Sequence, residues 1–478
     1  MLWTRSIFST AGRVAGRLSH PHGSAETLAR VTAEEDQGAG ATGPAPAREI
    51  LRLAVPAFLA LIAEPLFLLA DSAIVGHLGT SALAGLGVAS AVLLTAVNLF
   101  IFLAYGTTAV VARRLGAGDQ RGAISAGVDG IWLALLLGAV GALVVSVAAR
   151  PLVELFGASP EVVTEAVTYL RWSAIGIPPM LIVLATTGVL RGLQDTRTPL
   201  VAAVLGFSGN AILSLVLVHG VGWGIAGAAI GTVLAQTGMA IGLVLVVVRG
   251  ARRLGASLTM HHAGVLRAAL DGVPLIVRTV ALRTALLLTT WAAAGLGDAP
   301  LAAHQVAMTV WTALAFALDA LAIAAQALTG RSLGAGDVRT TRETTALMVR
   351  WSVWFGVILT VLIAVLHRVV PLGFSQDPDV RAALAAALLV VAVGQPVAGI
   401  AFILDGVLIG AGDTRWLAWA QTIATLAYVP MVLGVALSGV TGATGLVWLW
   451  VAFTGFMAVR AALLWRRSRG DRWLVVGA

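Results

Sequence analysis

Two carboxylates interrupt the first long apolar stretch of the chain, residues 50–79. Glu64 and Asp71 are seven positions apart, so on a helix with about 100° per residue their side chains lie near one face. A carboxylate near the bilayer centre costs roughly 2.5–3.5 kcal/mol and therefore normally faces a protein interior or a watery cavity. The spacing predicts a cation-handling site, and a structural ion pair with an intramembrane arginine is the alternative.

Two prolines in the same stretch, Pro56 and Pro65, are predicted to bend the helix. Proline lacks a backbone N–H, and its ring clashes with the preceding turn. The carbonyl groups that lose their intrahelical partner must then be satisfied inside the protein. The stretch is therefore predicted to be a bent transmembrane helix that carries ionisable groups.

The composition of the whole chain is that of a polytopic membrane protein. Of its 478 residues, 59% are hydrophobic and only 11% are charged, whereas soluble proteins carry about 25% charged residues. There is no cysteine, which excludes disulfides and thiolate metal sites, and the eight histidines lack zinc-ligand spacing. No loop holds a catalytic Ser/His/Asp or paired-carboxylate constellation. We therefore expect no enzyme activity, no cofactor and no resident metal.

Twelve apolar segments can be counted, and the arginines are distributed unevenly between the loops that join them. The segments are 50–75, 82–112, 123–149, 163–190, 199–219, 223–249, 268–294, 300–328, 345–370, 382–409, 416–438 and 442–465. The odd-numbered loops contain only Arg150 and Arg381, so by the positive-inside rule both termini and the even-numbered loops are cytoplasmic. Membrane orientation thus explains the net charge of +8, and we expect the lipid bilayer but no nucleic acid as a partner.

An internal repeat with an offset of 218 residues is the strongest sign of organisation. The loop Arg113–Asp119, RRLGAGD, recurs as Arg331–Asp337, RSLGAGD, and Pro56 recurs as Pro274 at the same offset. Each half contains an even number of helices, so the two halves share one orientation in the membrane. Parallel repeats of this kind are typical of transporters in which two bundles rock about a central cavity.

The repeat predicts an all-α fold of twelve transmembrane helices in two six-helix lobes. The predicted boundaries are a disordered cytoplasmic N-terminal tail at 1–47, the N-terminal lobe at 48–250, a cytoplasmic linker at 251–267, the C-terminal lobe at 268–465 and a cytoplasmic tail at 466–478. The start of the chain is basic and contains serine, so an organellar transit peptide is the alternative to a disordered tail.

Three short loop motifs are predicted to be turns. LGAGD, which occurs twice, places glycines and an aspartate where a helix ends and reverses. GLQDTRTPL and GAGDTRW offer an aspartate to cap the next helix and an arginine to anchor it. None of them is a phosphate loop, because the chain has no GxxxxGK[ST] motif and no lysine.

The C-terminal half carries its own intramembrane charges. Asp319 lies in the middle of the eighth segment and Asp405 near the end of the tenth, while Arg278 and Arg283 lie in the seventh. An isolated arginine would be costly there, so at least one of the acids is expected near Arg278 or Arg283, facing the space between the lobes. A substrate-binding role and a structural role for the two acids both stay open.

The combined motifs resemble the multidrug and toxic compound extrusion (MATE) transporters, and within them the DinF branch. The resemblance covers about residues 48–465 and is carried by EPLFLLADSAIVGHLGTSALAGLGVA, the two LGAGD loops, AAHQVAMT, LDALAIAAQALTGRSLGAGD and LDGVLIGAGDTR. It implies two six-helix lobes around a cavity and cation-coupled antiport of amphiphilic, often cationic, compounds. We therefore expect a monomeric exporter in the bacterial inner membrane.

The resemblance assigns a cation-coupling site to the N-terminal lobe. Asp71 matches the family's acid on the first helix, and Tyr169, Asn210 and Thr232 match polar residues near that acid. Ser214 stands four residues after Asn210, where some relatives carry a second aspartate. Helix-packing hydrogen bonds are the alternative role for Asn210 and Thr232. The residues expected to line the substrate cavity are Glu64, Asp319, Asp405 and Gln326.

A proton is favoured as the coupling ion. Asp71, Asn210, Ser214 and Thr232 offer oxygen atoms, but only Asp71 carries a charge, whereas a proton needs a single carboxylate. A sodium ion at Asp71 is the alternative. For the function as a whole, the alternatives are a lipid-linked saccharide flippase of the same superfamily, which would need a more basic cavity, and a non-transporting membrane component.

Overall fold

The structure, a computed structural model, describes residues 47–477 except for the side chains of Glu64, Leu68 and Leu69. The N-terminal half contains α1 (Ala47–Gly76), α2 (Thr80–Phe100), α3 (Phe102–Gly116), α4 (Gln120–Glu154), α5 (Pro160–Ala174), α6 (Ile177–Gly192), α7 (Arg197–Leu215) and α8 (Gly224–Leu254). The C-terminal half contains α9 (His262–Ala294), α10 (Asp298–Gly334), α11 (Val338–Leu366), α12 (Val370–Phe374), α13 (Pro378–Gly410), α14 (Thr414–Leu437) and α15 (Gly442–Arg469). The predicted N-terminal tail, apart from its last residue, lies outside the described residues.

The helices have the length and surface of membrane spans. Ten helical segments of the described chain are long and apolar enough to cross a membrane, and α5 with α6 makes an eleventh if this pair, bent by 52°, is one span. The one remaining predicted segment, 268–294, lies in α9, which has 33 residues but carries Arg278 and Arg283 in its apolar part. Large apolar side chains point outward, with Val147 and Val365 exposed by 75% and 70%. Such a surface is suited to lipid rather than water, so this is a multi-pass membrane protein.

The 218-residue repeat recurs in the helix boundaries. α2 begins at Thr80 and α10 at Asp298, while α6 ends at Gly192 and α13 at Gly410. Both pairs of positions are separated by the offset found in the sequence. The two halves are therefore built from the same succession of helices.

α3 and α10 cross at the interface between the halves through reciprocal contacts. A Cβ atom on Gly116 would overlap with the carbonyl group of Arg331, and a Cβ atom on Gly334 would overlap with the carbonyl group of Arg113. Gly116 and Gly334 are repeat counterparts, and so are Arg113 and Arg331. A contact in which each partner plays the same role is the one expected at a two-fold axis.

The capping role predicted for Asp195 and Asp413 is found at Asp195, and the aspartates of the two LGAGD loops cap their following helices as well. Asp119, Asp195 and Asp337 each accept a hydrogen bond from a backbone N–H in the first turn of the following helix. Both LGAGD loops also use a positive φ angle at their second glycine. The prediction is wrong for Asp413, which makes no capping bond and instead accepts a hydrogen bond from Arg467 at 2.7 Å.

The helix irregularities fall at unexpected places. The second span is interrupted at Ile101, α5 and α6 meet at an angle, and a π-helical turn, Val216–Gly220, follows α7. Their repeat counterparts α10 and α13 run without a break. α1, in contrast, continues as one helix through Pro56 and Pro65, so the expected bend does not interrupt it. These three irregularities thus lie in the N-terminal half, whereas the C-terminal half has a break between α11 and α12 where its counterpart α4 is continuous.

Candidate functional site

The first candidate site surrounds Asp71 on α1. This side chain is only 4% exposed, and its Oδ2 atom accepts a hydrogen bond from the Tyr169 hydroxyl on α5 at 3.4 Å. Ser214 and Asn210, both on α7, face the same carboxylate. Between residues 47 and 477 no arginine or histidine forms an ion pair with Asp71. A buried carboxylate therefore lies among neutral polar groups, although burial of a charge normally requires a positive partner.

Two polar atoms of this site have no hydrogen-bond partner within the described chain, Asp71 Oδ1 and Asn210 Nδ2. The hydroxyl group of Ser214 donates to Asn210 Oδ1 at 3.4 Å, so the amide oxygen has a partner in the described chain and the amide nitrogen has none. Leaving a buried polar atom unsatisfied costs about 1–3 kcal/mol. The site is therefore suited to take up a proton, a cation or a water molecule at the carboxylate.

Thr232 on α8 forms the outer part of the site. Its hydroxyl donates to the carbonyl of Ala228 at 3.0 Å and lies beside the Tyr169 hydroxyl. Tyr169 therefore connects Thr232 with Asp71. The five predicted coupling residues are thus brought together from α1, α5, α7 and α8, and their role in ion coupling stays a prediction.

Local packing holds Ser214 in place at this site. A Cβ atom on Gly231 of α8 would lie 2.9 Å from the Ser214 Oγ atom, so α7 and α8 approach each other closely at this level. The π-helical turn Val216–Gly220 begins two residues after Ser214. Such turns are rare and occur mostly inside or beside α-helices at functional sites.

A second group of charges is buried in the C-terminal half. Asp405 on α13 binds Arg278 on α9 through both carboxylate oxygens, and Arg460 on α15 lies 3.1 Å from Asp405 Oδ2. The guanidinium group of Arg460 also lies over the Phe402 ring, 5.6 Å from its centroid. The expected pairing of an acid with Arg278 is confirmed, whereas Arg283 forms no ion pair in the part of the chain that is described. With both oxygens engaged, Asp405 is well placed to stabilise the C-terminal half, and its role in the cavity stays a prediction.

Asp319 on α10 contacts the other half of the protein. The Tyr105 hydroxyl on α3 donates to Asp319 Oδ2 at 3.5 Å, and Gln326 donates to the Tyr105 carbonyl at 2.5 Å. Arg191 on α6 and Arg278 are close enough to Asp319 to attract its charge. Gln326 is 2% exposed and bound to backbone, so it belongs to the packing between α3 and α10.

Sequence reasoning missed three members of these networks, Tyr105, Arg191 and Arg460. Arg191 lies at the end of an apolar segment, where an arginine of a cytoplasmic loop is also expected, so its position does not indicate a buried partner. Arg460 stands inside an apolar segment, and this position was the available signal that it needs a buried partner. The Glu64 side chain lies outside the described residues, so its placement on the Asp71 face stays a prediction.

The fold and the site define the class of the protein. Membrane-spanning helices in two halves built on the same plan, with buried carboxylates inside them, are the features of a secondary transporter. A family model described as MatE matches residues 56–216 and 274–457, and the two matches begin at positions that differ by the offset of the repeat. The chain belongs to the MatE family, that of the multidrug and toxic compound extrusion transporters.

Relatives from plants and bacteria share most of the chain. Protein DETOXIFICATION 44, chloroplastic, from Arabidopsis thaliana is 32% identical over 445 residues, which cover 90% of this chain and 83% of the relative. DNA damage-inducible protein F from Escherichia coli strain K12 is 29% identical over 440 residues, with 89% and 94% covered. The structure of the Vibrio cholerae MATE transporter VcmN in the bent form has a TM-score of 0.81 and 21% identity, with 89% of this chain and 96% of that chain covered. The last similarity supports the fold alone.

Proposed function

We propose that this transporter is a cation-coupled antiporter that exports amphiphilic or cationic organic compounds by alternating access, with Asp71 as its coupling carboxylate. The observation that carries the proposal is the buried Asp71 carboxylate with neutral neighbours and an unpaired Oδ1 atom. Within residues 47–477 no arginine forms an ion pair with this carboxylate, so it can bind a cation in one state of the transporter and release it in the other. Asp405, which is held by two arginines, cannot alternate in this way.

A proton is the proposed coupling ion. Asp71 is the only charged side chain among the five at the site, and the remaining four offer hydroxyl or amide groups. Within the described residues no group of three His, Cys, Asp or Glu side chains is arranged to hold a metal ion. A sodium ion held by Asp71 together with oxygens of Asn210, Ser214 and Thr232 is the alternative.

Loading of Asp71 would change the packing of the N-terminal half. A protonated carboxyl group becomes a donor as well as an acceptor, so it can bond to the oxygens of Ser214 or Asn210. α1 and α7 are thereby drawn together at the site, next to the π-helical turn that ends α7. Substrate is released when the halves open to the outside, and loss of the proton to the cytoplasm resets the site.

The proposed location is the bacterial inner membrane, with both termini in the cytoplasm. Arginines cluster at the helix ends that meet at the loops after α3, α6, α8, α10 and α13, for example Arg113 and Arg121, and this distribution supports the orientation. The protein is proposed to work as a monomer. The proposed substrate class rests on membership of the family.

The proposal is tested by measuring uptake of a panel of amphiphilic cations into energised everted vesicles, where export from the cell becomes accumulation in the lumen. Asp71→Asn keeps the shape of the side chain and removes its charge, so we expect normal insertion but loss of export. Asp298→Asn, which changes an exposed carboxylate at the start of α10, is the matched control and should export normally. If no panel compound moves through the wild-type protein, an exporter of amphiphilic cations is the wrong assignment.

A further inference from the structure

Arg113, near the end of α3, reaches from the N-terminal half into the C-terminal half. Its Nη1 atom donates to the carbonyl of Ala411 at 2.6 Å, and Nη2 donates to the carbonyls of Val475 and Gly477, each at 2.7 Å. Nε donates to Gly477 as well, at 3.0 Å. The planar guanidinium group, whose donors point in fixed directions, thus binds the loop after α13 and the segment after α15 at the same time.

Arg331, the repeat counterpart of Arg113, reaches in the opposite direction. Its Nη1 atom donates to the side chain of Gln194 at 2.7 Å and lies 3.5 Å from Glu49 on α1, both in the N-terminal half. Gln194 has φ 62°, and it is the only residue other than glycine with a positive φ angle within 47–477. Its repeat counterpart is Gly412, with φ 76°. The turn between α6 and α7 therefore has an unfavourable backbone conformation at Gln194, and in exchange it presents a side chain that binds Arg331.

The segment Gly470–Gly477, here called the strap, is attached to both halves. The Trp473 side chain is 1% exposed, and its Nε1 atom donates to the carbonyl of Ser468 at 3.0 Å. The Gly477 N–H donates to the carbonyl of Leu333 on α10 at 3.1 Å, while the Gly477 carbonyl accepts from Arg113 on α3. The strap therefore connects the two helices that cross at the interface.

We propose that the strap and the two crossing arginines form a clasp that holds this end of the protein closed and must release when the halves separate there. α3 and α10 cannot move apart at this end while Gly477 stays bonded to both Arg113 and Leu333. The inference rests on the rocking of the halves in the proposed function, but it depends on neither the coupling ion nor the substrate. The clasp sets the balance between the closed and open states.

Distances between spin labels measure this balance directly. The chain has no cysteine, so pairs of cysteines can be introduced without background labelling. Gln120→Cys with Arg339→Cys reports on the clasp end, and Thr80→Cys with Asp298→Cys reports on the opposite end, all four at exposed positions. Double electron–electron resonance spectroscopy on the spin-labelled protein in lipid nanodiscs then gives the populations of molecules with a short and with a long distance between the labels.

Removal of the clasp is expected to favour the open state. In Arg113→Gln and in Trp473→Ala the ratio of open to closed molecules should rise about tenfold or more. The first variant loses the hydrogen bonds of the charged guanidinium group, and the second loses the buried ring that anchors the strap. Arg113→Lys, which keeps the charge but not the fork of donors, should give an intermediate shift. Arg415→Gln, which changes an exposed arginine of the same end without a bond across the interface, should leave the ratio unchanged.

The pair at the opposite end separates opening from unfolding. If the halves rock as units, the distance there shortens as the clasp end opens, whereas a misfolded variant broadens both distributions. A contrary result would be two distances at the clasp end of the wild type whose ratio stays the same in Arg113→Gln, Arg113→Lys and Trp473→Ala. That result would overturn the clasp and leave the proposed function intact. A single unchanging distance at both ends of the wild type, at every pH and with every substrate, would overturn the rocking motion itself.

Discussion

Asp71 and Asp405 are the same kind of side chain in opposite surroundings. Asp405 has arginine donors on both oxygens, so its charge is compensated whatever the state of the transporter. Asp71 has one tyrosine hydroxyl on Oδ2 and no partner on Oδ1 within the described residues. The first arrangement stabilises a fold, and the second leaves a carboxylate able to exchange an ion.

The Tyr169 hydroxyl is expected to matter for transport more than for folding. Tyr169→Phe keeps the buried ring and removes only the hydroxyl that donates to Asp71. One hydrogen bond to a charged group contributes about 1.5–3 kcal/mol, so we expect the rate of export to fall about tenfold or more. Initial rates of dye transport in proteoliposomes measure the effect, with a melting curve of the same preparation. Tyr428→Phe is the control, since its hydroxyl bonds to Thr289 at 2.8 Å in the other half and its loss should leave transport intact. Equal losses in the two variants would contradict a specific role for Tyr169.

Asp405 is expected to matter for folding. Asp405→Asn leaves Arg278 and Arg460 buried with less compensation, and breaking a buried ion pair in this way typically costs about 3–5 kcal/mol. The thermal midpoint of the purified protein should therefore fall clearly below that of Asp298→Asn, an exposed carboxylate changed in the same way. A midpoint equal to that of the control would remove the structural role.

Single polar residues were the hardest part of the site to predict. Asp71 stands out in the sequence because a carboxylate in an apolar stretch is costly, but Tyr169, Asn210 and Thr232 were found only through the family resemblance. A lone hydroxyl or amide on an apolar helix carries no periodic signal, and packing alone decides whether it faces a carboxylate or a backbone carbonyl. Arg460 has the same signal as Asp71, a charge inside an apolar segment, and its partner proves to be Asp405.

At the scale of helices, the crossing of α3 and α10 sets how closely the halves approach. Glycines at 116 and 334 remove the side chains that would keep the two backbones apart. The LGAGD motif therefore has a second use beside the turn, since its first glycine provides the crossing point. The sequence predicted the turn correctly, but a contact between helices distant in the chain has no local signal.

Gly334→Ala should weaken the crossing of α3 and α10. The added methyl group overlaps with the Arg113 carbonyl, and overpacking of this kind costs about 1–3 kcal/mol. Gly238→Ala is the matched control, because Gly238 lies within α8 and a Cβ atom there would meet no other group within 4 Å. Chemical denaturation or thermal melting in detergent should show a loss for Gly334→Ala and none for Gly238→Ala. Equal stability of the two variants would mean that the crossing adjusts without cost.

The existence and order of the helices were predictable, and their interruptions were not. Each of the twelve apolar segments coincides with one helix or one helix pair, because hydrophobic runs of this length form helices in lipid. The break at Ile101 lies in a continuous apolar run, where no glycine or proline marks it. The bend between α5 and α6 has such a signal in Gly176, which is followed closely by two prolines.

At the scale of the whole molecule, the two halves have the same order of helices but different side chains at the positions that surround Asp71. The repeat counterparts of Asp71 and Asn210 are Thr289 and Tyr428, which form a neutral hydrogen bond in the C-terminal half. The counterpart of Thr232 is Trp450, which packs with Phe453 among other aromatic rings. The repeat was evident from the sequence. The difference between the halves follows from the side chains at equivalent positions, which are polar around Asp71 and include aromatic rings in the C-terminal half. The proposed coupling site therefore lies in the N-terminal half, and the repeat counterparts of its residues include no carboxylate.

The most direct test of a proton-coupling Asp71 is dye transport in proteoliposomes under a pH gradient or a sodium gradient imposed separately. We expect the wild-type protein to transport under a pH gradient alone, and Asp71→Asn to remain folded and inactive under either gradient. Transport driven by sodium at zero pH gradient, and not by pH alone, would change the ion and keep Asp71 as the site. Wild-type rates in Asp71→Asn under a pH gradient would contradict the central role of this carboxylate.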